Sequence, residues 1–351
     1  MAKVLFILKR RPDFNSAIHN TVGKSTGLFN SANFMNDMLV SNKVDSSIAV
    51  AVDANDIDRL VTQYQPTHVI IEAIWVPPLK FKELQSLHAD VRWVVRLHSD
   101  LPFIANEGIA MDWLAEYSRY PRVYIAPNSE RMLDSLTTYF KVINGWTDAQ
   151  VDDKLIYLPN YYPAKYKINF TKKDNSYVDI CCFGAVRPLK NQLIQAHAAL
   201  EFAIKKKKKL RFHINATRIE QKGDPILNNL RGMFEQLAGT GHELICHDWY
   251  NHDDFLQVCS TMDIGMQASF SETFNIVAAD LTNVGVPVLG TKEIPWLGGL
   301  FHIDPTSVHN MVHILESIYH LPITCAFINQ FKLHKYTYKT KKIWLTYLGK
   351  K

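Results

Sequence analysis

The sequence predicts an α/β protein made of two Rossmann-like halves. Strand-length apolar runs alternate with amphipathic helical segments over the first half of the chain, and the same alternation begins again at Val178. Alternation of this kind indicates a parallel sheet covered by helices on both faces. Because the pattern starts twice, we expect two domains that face each other across a cleft, which is where ligands usually bind.

The elements of the first half follow from hydrophobic periodicity. The short runs rich in β-branched residues are predicted as strands: Lys3–Leu8, Ser46–Val52, Thr67–Ile71, Arg92–Leu97, Val123–Ala126 and Leu155–Leu158. The amphipathic segments between them are predicted as helices: Leu28–Val40, Asp56–Tyr64, Phe81–Leu87 and Asn128–Thr138. The stretch Tyr161–Tyr177 loses this periodicity, which indicates a linker.

The second half repeats the alternation. Its predicted strands are Val178–Phe183, Leu210–Asn215, Leu244–His247, Ile264–Ala268 and Val286–Gly290. Its predicted helices are Gln192–Lys206, Leu227–Ala238, Asp253–Thr261, Met311–His320 and Asn329–Leu348. The expected organisation is a first domain over residues 1–162, a linker over 163–177, a second domain over 178–325, and a C-terminal helix over 326–351 that packs back on the first domain.

Composition describes an ordinary globular chain. The 351 residues are 47% hydrophobic and 21% charged, and the apolar runs are too short to cross a bilayer or to serve as a signal peptide. We therefore expect a cytoplasmic protein, in the host cytoplasm if a phage encodes it. The five cysteines have no paired spacing, so reduced thiols are expected. The net charge of +5 favours anionic partners but does not distinguish a nucleotide, a nucleic acid and a membrane surface.

The most informative segment runs from Ser269 to Asp280. It places two carboxylates, Glu272 and Asp280, eight positions apart, which puts both on nearly one face of a helix. Glu272 is expected at the helix N-terminus. The unpaired backbone N–H groups that follow it could hold an anion there: those of Thr273, Phe274 and Asn275. Carboxylates beside N–H donors suit a ligand with phosphates and sugar hydroxyls, which points to a sugar nucleotide.

This segment and the strand Gly285-Val-Pro-Val-Leu-Gly290-Thr291 resemble the retaining glycosyltransferases that have the GT-B fold and a Glu-x7-Glu motif. Asp280 stands where that family has its second glutamate, and it is one methylene shorter. The resemblance implies that Glu272 binds the donor sugar and that Asp280 binds the ribose, with altered reach or through water. The alternative is an ordinary surface helix with scattered acids.

A second segment, Cys182–Ile194, carries two cations on a loop between a strand and a helix. Arg187 and Lys190 suit a diphosphate and the charge that develops on it as a sugar leaves. The loop resembles the family's Gly-Arg-Leu-x-x-x-Lys-Gly segment and begins at Gly184, although the arginine lies two positions late. These cations make a metal unnecessary, and no Asp-x-Asp pair is present to hold one. We therefore expect no metal and no cofactor, only a nucleotide-diphosphate sugar as substrate.

In the first half, His98 follows a buried strand and is expected at the cleft, where the family has a histidine near the donor sugar. It either contacts the sugar or is a strand-end histidine satisfied by backbone. Gly27 fits the family's glycine loop. The candidates for acceptor contact in the first half are Asp100, Lys9 and Arg10. The run Gly23–Gly27 lacks the first glycine of a P-loop, so ATP hydrolysis is not expected.

Two other groups of residues suggest a ligand site, but each also has a second interpretation. The residues His242, Cys246, His247, Asp248, His252 and Asp253 resemble a metal cluster but match no zinc-finger spacing. In the family this region lines the nucleobase pocket, which makes Trp249 a candidate for base contact. The segment Lys332–Trp344 interleaves basic and aromatic residues, as a nucleic-acid-binding segment does, or forms the C-terminal GT-B helix with its aromatics buried.

The sequence therefore predicts a retaining, metal-independent glycosyltransferase, in which the leaving phosphate assists attack on the front face. No second catalytic carboxylate is expected near His98, unlike the carboxylate pair of glycosidases. The favoured acceptor is a hydroxymethylated base in duplex DNA, held through its phosphates and flipped toward His98, as in phage-type enzymes. The alternatives are a lipid or polysaccharide acceptor at a membrane surface, and a sugar-nucleotide-binding module without catalysis.

Overall fold

A computed structural model describes residues 2–10, 26–168 and 176–350 of the chain. The chain divides into two compact units. Unit 1 comprises Met1–Pro163 and Thr337–Lys351, and unit 2 comprises Ala164–Tyr336. Each unit contains one five-stranded sheet in which every pairing is parallel, which confirms the predicted α/β class.

The sheet of unit 1 has the strand order β2-β1-β3-β4-β5. Its strands are β1 (Lys3–Lys9), β2 (Asp45–Ala51), β3 (His68–Glu72), β4 (Arg92–Leu97) and β5 (Val123–Pro127). Its helices are α1 (Gly27–Ser41), α2 (Asp56–Tyr64), α3 (Pro78–Leu87), α4 (Leu101–Ile104), α5 (Ala110–Arg119), α6 (Glu130–Asn144) and α7 (Asp148–Lys154). Each connection between neighbouring strands crosses over through helices, as parallel pairing requires.

Unit 1 is covered on both faces of its sheet. Successive side chains of β4 enter different hydrophobic clusters, with Trp93 and Val95 in one and Val94 in the other. This alternation follows from the two-residue period of a strand. The strands of a doubly covered sheet are therefore apolar at nearly every position, as the sequence pattern indicated.

The sheet of unit 2 has the order β10-β9-β6-β7-β8. Its strands are β6 (Tyr177–Cys181), β7 (Lys209–Asn215), β8 (Glu243–His247), β9 (Ile264–Gln267) and β10 (Val288–Gly290). Its helices are α8 (Gln192–Lys205), α9 (Asp224–Gln236), α10 (His252–Ser260), α11 (Ile276–Asn283) and α12 (Val308–His320). Because β6 is the central strand with β9 and β7 on either side, the loops that follow these three strands meet at the carboxyl edge of the sheet.

The last helix, α13 (Pro322–Tyr347), begins in unit 2 and ends in unit 1. Within the described ranges, no helix taken singly has the length and apolar content to cross a membrane. The pair α12 and α13 reaches that threshold only when the two are combined, and they are bent by 104°.

Several elements differ from the prediction. The short helices α4 and α7 were not predicted, and α13 begins at Pro322 rather than at Asn329. The strand predicted at Leu155–Leu158 is absent, since Leu155 makes only an isolated bridge to Ile125. Helix α6 begins at Glu130 rather than Asn128, because Ser129 is extended and caps the helix by accepting a hydrogen bond from Met132 N at 3.1 Å. Helix α5 was not predicted, although its polar, exposed face alternates with buried side chains.

Candidate functional site

A tight turn at the carboxyl edge of unit 2 brings the backbone of Gly184 next to Lys190. Gly184 has φ of 114°, a conformation that residues with a side chain rarely adopt, and its N–H donates to Asn215 Oδ1 at 2.9 Å. A β-carbon at this position would lie 3.5 Å from Lys190 Cε. Glycine therefore keeps this turn open beside the lysine, as a backbone that approaches a ligand requires.

Lys190 and Glu272 form a buried ion pair at this edge. Lys190 Nζ lies 2.6 Å from Glu272 Oε1, and each side chain is less than one tenth exposed. The two residues lie far apart in sequence, but they follow β6 and β9, which are adjacent strands. The structure thus brings together the two residues that the sequence analysis selected from separate motifs.

Side-chain hydrogen bonds fix the loops that carry this pair. Gln195 donates from Nε2 to Lys190 O at 2.7 Å and accepts from Ala268 N at 2.9 Å. Asn191, with φ of 56°, donates from Nδ2 to Ala268 O and to Pro305 O. These buried amides connect the loop after β6 to the loop after β9, so they hold the lysine and the carboxylate in register.

The charge state of Glu272 follows from its neighbours. Burial raises the pKa of Glu272, but the charges of Lys190 and Arg187 and the hydrogen bond from Lys190 outweigh burial, so the pKa lies below its usual value. The carboxylate is therefore ionised at neutral pH and accepts hydrogen bonds. It offers the group that a sugar hydroxyl would donate to.

Arg187 lies near the pair but has its own partner. Its Nη1 is 3.1 Å from Glu220 Oε2, and Glu220 also binds Arg218, whose guanidinium carbon lies 4.5 Å from the centre of the Trp249 ring. Trp249 and Arg187, both selected from the sequence, are thus connected by contacts through Arg218 and Glu220. A ligand phosphate could contact Arg187 while the carboxylate of Glu220 holds the guanidinium in place.

The predicted start of the acidic helix is wrong. Helix α11 begins at Ile276, so Glu272 and the three residues after it lie in the preceding loop and do not form the first helical turn. Asn275 has φ of 60° and caps α11 by accepting from Ala278 N at 2.9 Å, while Trp296 Nε1 donates to Phe274 O at 2.8 Å. Because Phe274 is buried and its carbonyl is bound to Trp296, the chain between Thr273 and Asn275 cannot continue as helix.

Asp280 lies in the second turn of α11, and its side chain is buried against α10. Asp280 Oδ1 is 2.8 Å from Nε2 of His252, and Asp280 is 2% exposed. Burial lowers the pKa of His252, but the hydrogen bond and charge of Asp280 and the charge of Asp253 outweigh it, so the pKa lies above its usual value. The carboxylate therefore favours the protonated form of His252, and the imidazole is the more exposed of the two groups.

His98 belongs to a buried charged group at the carboxyl edge of unit 1. Its Nε2 is in close contact with Glu72 Oε2, and Arg96 Nη1 lies 3.1 Å from Glu72 Oε1. Arg96 also donates from Nε to Leu158 O at 3.0 Å. The sequence analysis did not identify the carboxylate that lies beside His98, which is Glu72 at the end of the neighbouring strand β3.

The protonation of this group is set by burial and by the two charges. Burial lowers the pKa of His98 more than the carboxylate of Glu72 raises it, and Arg96 lowers it further. Burial raises the pKa of Glu72, but Arg96 and His98 outweigh burial and hold the pKa below its usual value. A neutral His98 beside an ionised Glu72 would carry its proton on Nε2 and present a lone pair at Nδ1.

A small cavity of about 140 Å³ lies above this group in unit 1. Its lining includes His98, Glu72, Lys9, Leu28 and Trp75. The cavity therefore combines a basic side chain, an imidazole and an aromatic wall within one pocket.

The remaining predicted residues of unit 1 are placed differently. Asp100 is 2% exposed and accepts from Ser129 Oγ at 2.6 Å and from Arg131 Nε at 3.0 Å, so its carboxylate holds two loops together. Gly27 is the first residue of α1, and Arg10 is exposed with its backbone N–H bound to Ala51 O. The residues Gly23, Lys24 and Ser25 lie outside the described part of the chain.

The histidines of the apparent metal cluster have other partners. His247 Nε2 lies 2.9 Å from His213 Nδ1, and His213 Nε2 lies 3.0 Å from Asp179 Oδ1. Across residues 2–10, 26–168 and 176–350, no three His, Cys, Asp or Glu side chains are grouped so that they could hold a metal ion. The five cysteines are unpaired by disulfides.

The comparisons with known proteins point to one architecture. No protein-family model matches the sequence, and no curated protein matches it. Several solved structures match this chain. An α,α-trehalose 6-phosphate synthase from Burkholderia multivorans matches with a TM-score of 0.72 over 99% of this chain and 98% of its own, at 10% identity. The chain has the GT-B fold.

Two other structures agree on this fold. The sucrose-phosphate synthase of Thermosynechococcus elongatus matches with a TM-score of 0.66 and 10% identity, over 99% of this chain and 98% of its own. The catalytic domain of starch synthase IV from Arabidopsis thaliana, bound to ADP and acarbose, matches with a TM-score of 0.65 and 8% identity, over 99% of this chain and all of its own. The predicted GT-B fold class is therefore confirmed.

Sequence reasoning missed several residues that shape the two charged groups of this GT-B chain. They are the partners of the predicted residues: Glu72, Arg96, Glu220, Arg218, Asn191 and Gln195. Glu72 carried one usable signal, since it is a carboxylate at the end of an otherwise apolar strand. Arg96 carried a similar signal, since it is a charged residue within the buried strand β4. The other four lie in loops or helices, where polar residues are ordinary and carry no signal.

Proposed function

We propose that this chain is a glycosyltransferase that moves a sugar from a nucleotide-diphosphate sugar to a hydroxyl acceptor. The observation that carries the proposal is the buried Lys190–Glu272 pair at the carboxyl edge of a Rossmann-like sheet. Ligands of open α/β sheets bind at this edge. The names of the similar structures support it, since they describe sugar-phosphate synthases, a UDP-forming enzyme and a starch synthase bound to ADP.

In this proposal unit 2 binds the donor. Lys190 and Arg187 balance the diphosphate, and Gly184 lets the ligand approach the backbone. Glu272 accepts hydrogen bonds from the sugar hydroxyls, and its ionised state suits that role. Trp249 is proposed to contact the base, and the pair of Asp280 and His252 the ribose.

Unit 1 is proposed to bind the acceptor in the cavity beside His98, which Lys9 lines, with the exposed Arg10 next in the chain. The acceptor oxygen forms a bond to the anomeric carbon while the bond from that carbon to the diphosphate oxygen breaks. The acceptor attacks on the face from which the diphosphate leaves, so the transfer is retaining. The acceptor proton passes to the leaving phosphate, and no metal is needed. Glu72 is fully buried and bound to Arg96, so it orients His98 and does not attack the sugar.

For the acceptor we propose a hydroxymethylated base in duplex DNA. The exposed basic residues Lys9 and Arg10 support this proposal, because phosphate contacts supply most of the affinity for duplex DNA. A lipid or polysaccharide hydroxyl at a membrane surface is the competing acceptor. The two are separated by assaying sugar transfer to hydroxymethylated duplex DNA, with unmodified duplex as the control.

A non-catalytic sugar-nucleotide-binding module is the second candidate. It is favoured by one observation, the pairing of Asp280 with His252, which leaves the predicted ribose contact engaged within the protein. Product formation distinguishes the two candidates, because a binding module releases the intact donor.

Donor binding is tested by thermal-shift titration of the full chain with UDP-, GDP- and ADP-sugars. A bound donor raises the melting temperature as its concentration passes the dissociation constant. We expect Lys190→Met to weaken the binding of the matching donor by about 10-fold to 100-fold, as loss of a charge-assisted contact does. Lys209→Met, at an exposed lysine at the amino end of β7, is expected to leave donor binding unchanged. No stabilisation by any donor contradicts the proposal.

The stereochemistry is tested separately by NMR of the product. The anomeric coupling constant reports whether the configuration of the donor is kept. An inverted product would leave the sugar transfer intact but overturn the retaining mechanism.

A further inference from the structure

Unit 2 exposes a cluster of large apolar side chains, which we call the apolar–basic face. Its apolar members are each between 52% and 59% exposed: Tyr166, Ile168, Leu321, Ile323, Phe327 and Phe331. Large apolar clusters on the surface of a soluble protein usually mark an interaction site. Scattered single side chains of this kind would need no such explanation. Here Ile168, Ile323 and Phe327 line one groove, and Tyr166 stacks on Phe327.

The groove has a volume of about 500 Å³ and is lined mainly by apolar groups. Its lining includes Met262 and Pro287, which precede β9 and β10, and Ile323 and Phe327 of α13. Tyr166 stacks on Phe327 with ring centres 5.7 Å apart and on His334 at 4.1 Å. The stacking holds the aromatic side chains in place, so the groove is formed before any partner binds.

The geometry of α13 explains why these side chains remain outside the core. Ile323, Phe327 and Phe331 recur every four residues, so they share one side of the helix. The opposite side already packs in unit 2, where Asn329 Oδ1 accepts from Val288 N at 2.8 Å. Gln330, which lines the groove, donates from Nε2 to Lys167 O at 2.6 Å and so ties α13 to the segment before it. The fold of the unit is therefore complete without the apolar–basic face.

Exposed lysines adjoin the apolar cluster at two places, beside Tyr166 and Ile168 and along α13 after Phe331. Lys165, Lys167, Lys332 and Lys335 are exposed, and within the described residues none of these four makes an ion pair with a carboxylate. The one acidic side chain in the groove, Asp263, accepts a hydrogen bond from the backbone N–H of Asp179. The surface is thus apolar at its centre and basic at its margin.

We propose that the apolar–basic face docks on the surface of a bilayer that contains anionic lipids. Isoleucine, leucine and phenylalanine side chains enter the region between headgroups and acyl chains, and lysines bind the anionic headgroups around them. A nucleic acid would use the lysines but would leave the aliphatic side chains Ile168, Leu321 and Ile323 without a partner. The combination of both kinds of residue therefore fits a lipid surface best.

This face is separate from the candidate donor site. Met262 and Asp263 precede β9, and Val286 and Pro287 precede β10, so the groove lies at the amino edge of the sheet of unit 2. Lys190 and Glu272 lie at the carboxyl edge. Docking therefore leaves the donor site untouched, and the inference stands whether or not the proposed function holds.

The test is co-sedimentation of the full chain with vesicles of phosphatidylcholine alone or with added phosphatidylglycerol. We expect binding to the anionic vesicles at least 10-fold stronger than to the neutral ones. The double variant Phe327→Ser with Phe331→Ser is expected to lose at least 10-fold of this binding, and Lys332→Gln with Lys335→Gln to lose most of its preference for anionic vesicles. The matched control is Val142→Ser, a 78% exposed apolar residue on α6 of unit 1.

Thermal unfolding of each variant shows whether it remains folded, and donor-dependent stabilisation should be equal in all of them. The proposal is overturned if the wild-type chain does not bind anionic vesicles, or if the phenylalanine variant binds them as well as Val142→Ser does. Light scattering that shows a dimer dependent on Phe327 would assign the face to a second copy. Stronger retention on duplex DNA than on vesicles, lost in the lysine variant, would assign it to nucleic acid.

Discussion

At the scale of single residues, the buried group of Glu72, Arg96 and His98 shows how a charged site is held in an apolar sheet. Glu72 and Arg96 are both fully buried, and they lie opposite each other near the carboxyl ends of the adjacent strands β3 and β4. Two ions in such a place are tolerated because they bind each other and because Arg96 also donates to backbone carbonyls. The neutral form of His98 follows from the same burial.

Replacing Glu72 with glutamine tests this description. The variant leaves the charge of Arg96 buried without its carboxylate, so we expect a loss of about 3–5 kcal/mol in the free energy of unfolding. Urea denaturation measures it. The matched control is Glu83→Gln, which removes the charge of an exposed carboxylate that pairs with Lys80 and is expected to cost less than about 1 kcal/mol. Equal losses in the two variants would contradict the role given to Glu72.

The pair of His252 and Asp280 makes a separate prediction about pH. The folded pKa of His252 lies above its value of about 6.5 in the unfolded chain. Its contribution to stability is therefore fully present below that pH, and it is lost as the pH rises through the folded pKa. We expect the wild type to lose more stability than His252→Gln when the pH is raised from about 6 to about 9.

Melting temperatures of both proteins across this range give the measurement. The difference between the two curves isolates His252, because all other titrating groups are shared. Parallel curves would contradict the prediction, because they would show that folding does not raise the pKa of His252.

At the scale of elements, Ser129 decides where α6 begins. Its hydroxyl accepts from Met132 N and donates to Asp100, so one side chain caps the helix and binds the carboxylate once expected to contact the acceptor. We expect Ser129→Ala to cost about 1–2 kcal/mol of stability, because it removes the cap. Ser135→Ala, on the exposed side of the same helix, is expected to change stability by less than about 0.5 kcal/mol. Chemical denaturation compares the two, and a similar effect of both would rule out a capping role.

The strands and the segments that carry Lys190 and Glu272 could be predicted from the sequence, because apolar runs report burial directly. The start of α11 could not. Its position depends on Phe274, whose carbonyl is bound by Trp296 from a distant part of the chain, and on the left-handed backbone of Asn275. Tertiary contacts of this kind leave no periodic signal in the local sequence. The partner of Asp280 was missed for the same reason, since His252 looked like one member of a metal cluster.

At the scale of the whole molecule, unit 1 is built from both ends of the chain. Trp344 is fully buried in it, with its ring centre 5.9 Å from that of Phe6 and its Nε1 donating to Pro159 O at 2.9 Å. The aromatic residues of the basic tail therefore divide, because Trp344 belongs to the core of unit 1 while Tyr338 is 61% exposed. The alternation of basic and aromatic residues in the sequence therefore does not distinguish the buried aromatic residues from the exposed ones.

Trp344→Ala is expected to destabilise the protein by about 3–5 kcal/mol, since it removes a large side chain from a packed core. Tyr338→Ala, on the same helix, is expected to change stability by less than about 0.5 kcal/mol. Urea unfolding followed by far-UV circular dichroism reports both values. A small effect of Trp344→Ala would contradict the view that the C-terminal segment completes unit 1.

The central claim is that the Lys190–Glu272 pair forms part of a site that transfers sugars from nucleotide-diphosphate donors. The most direct measurement is release of the nucleotide diphosphate from UDP-, GDP- and ADP-sugars in the presence of candidate acceptors. We predict release from at least one donor, reduced by about 100-fold or more in Glu272→Gln and unchanged in Glu235→Gln, an exposed glutamate of α9. No release from any donor, or equal release by folded Glu272→Gln and the wild type, would contradict the claim.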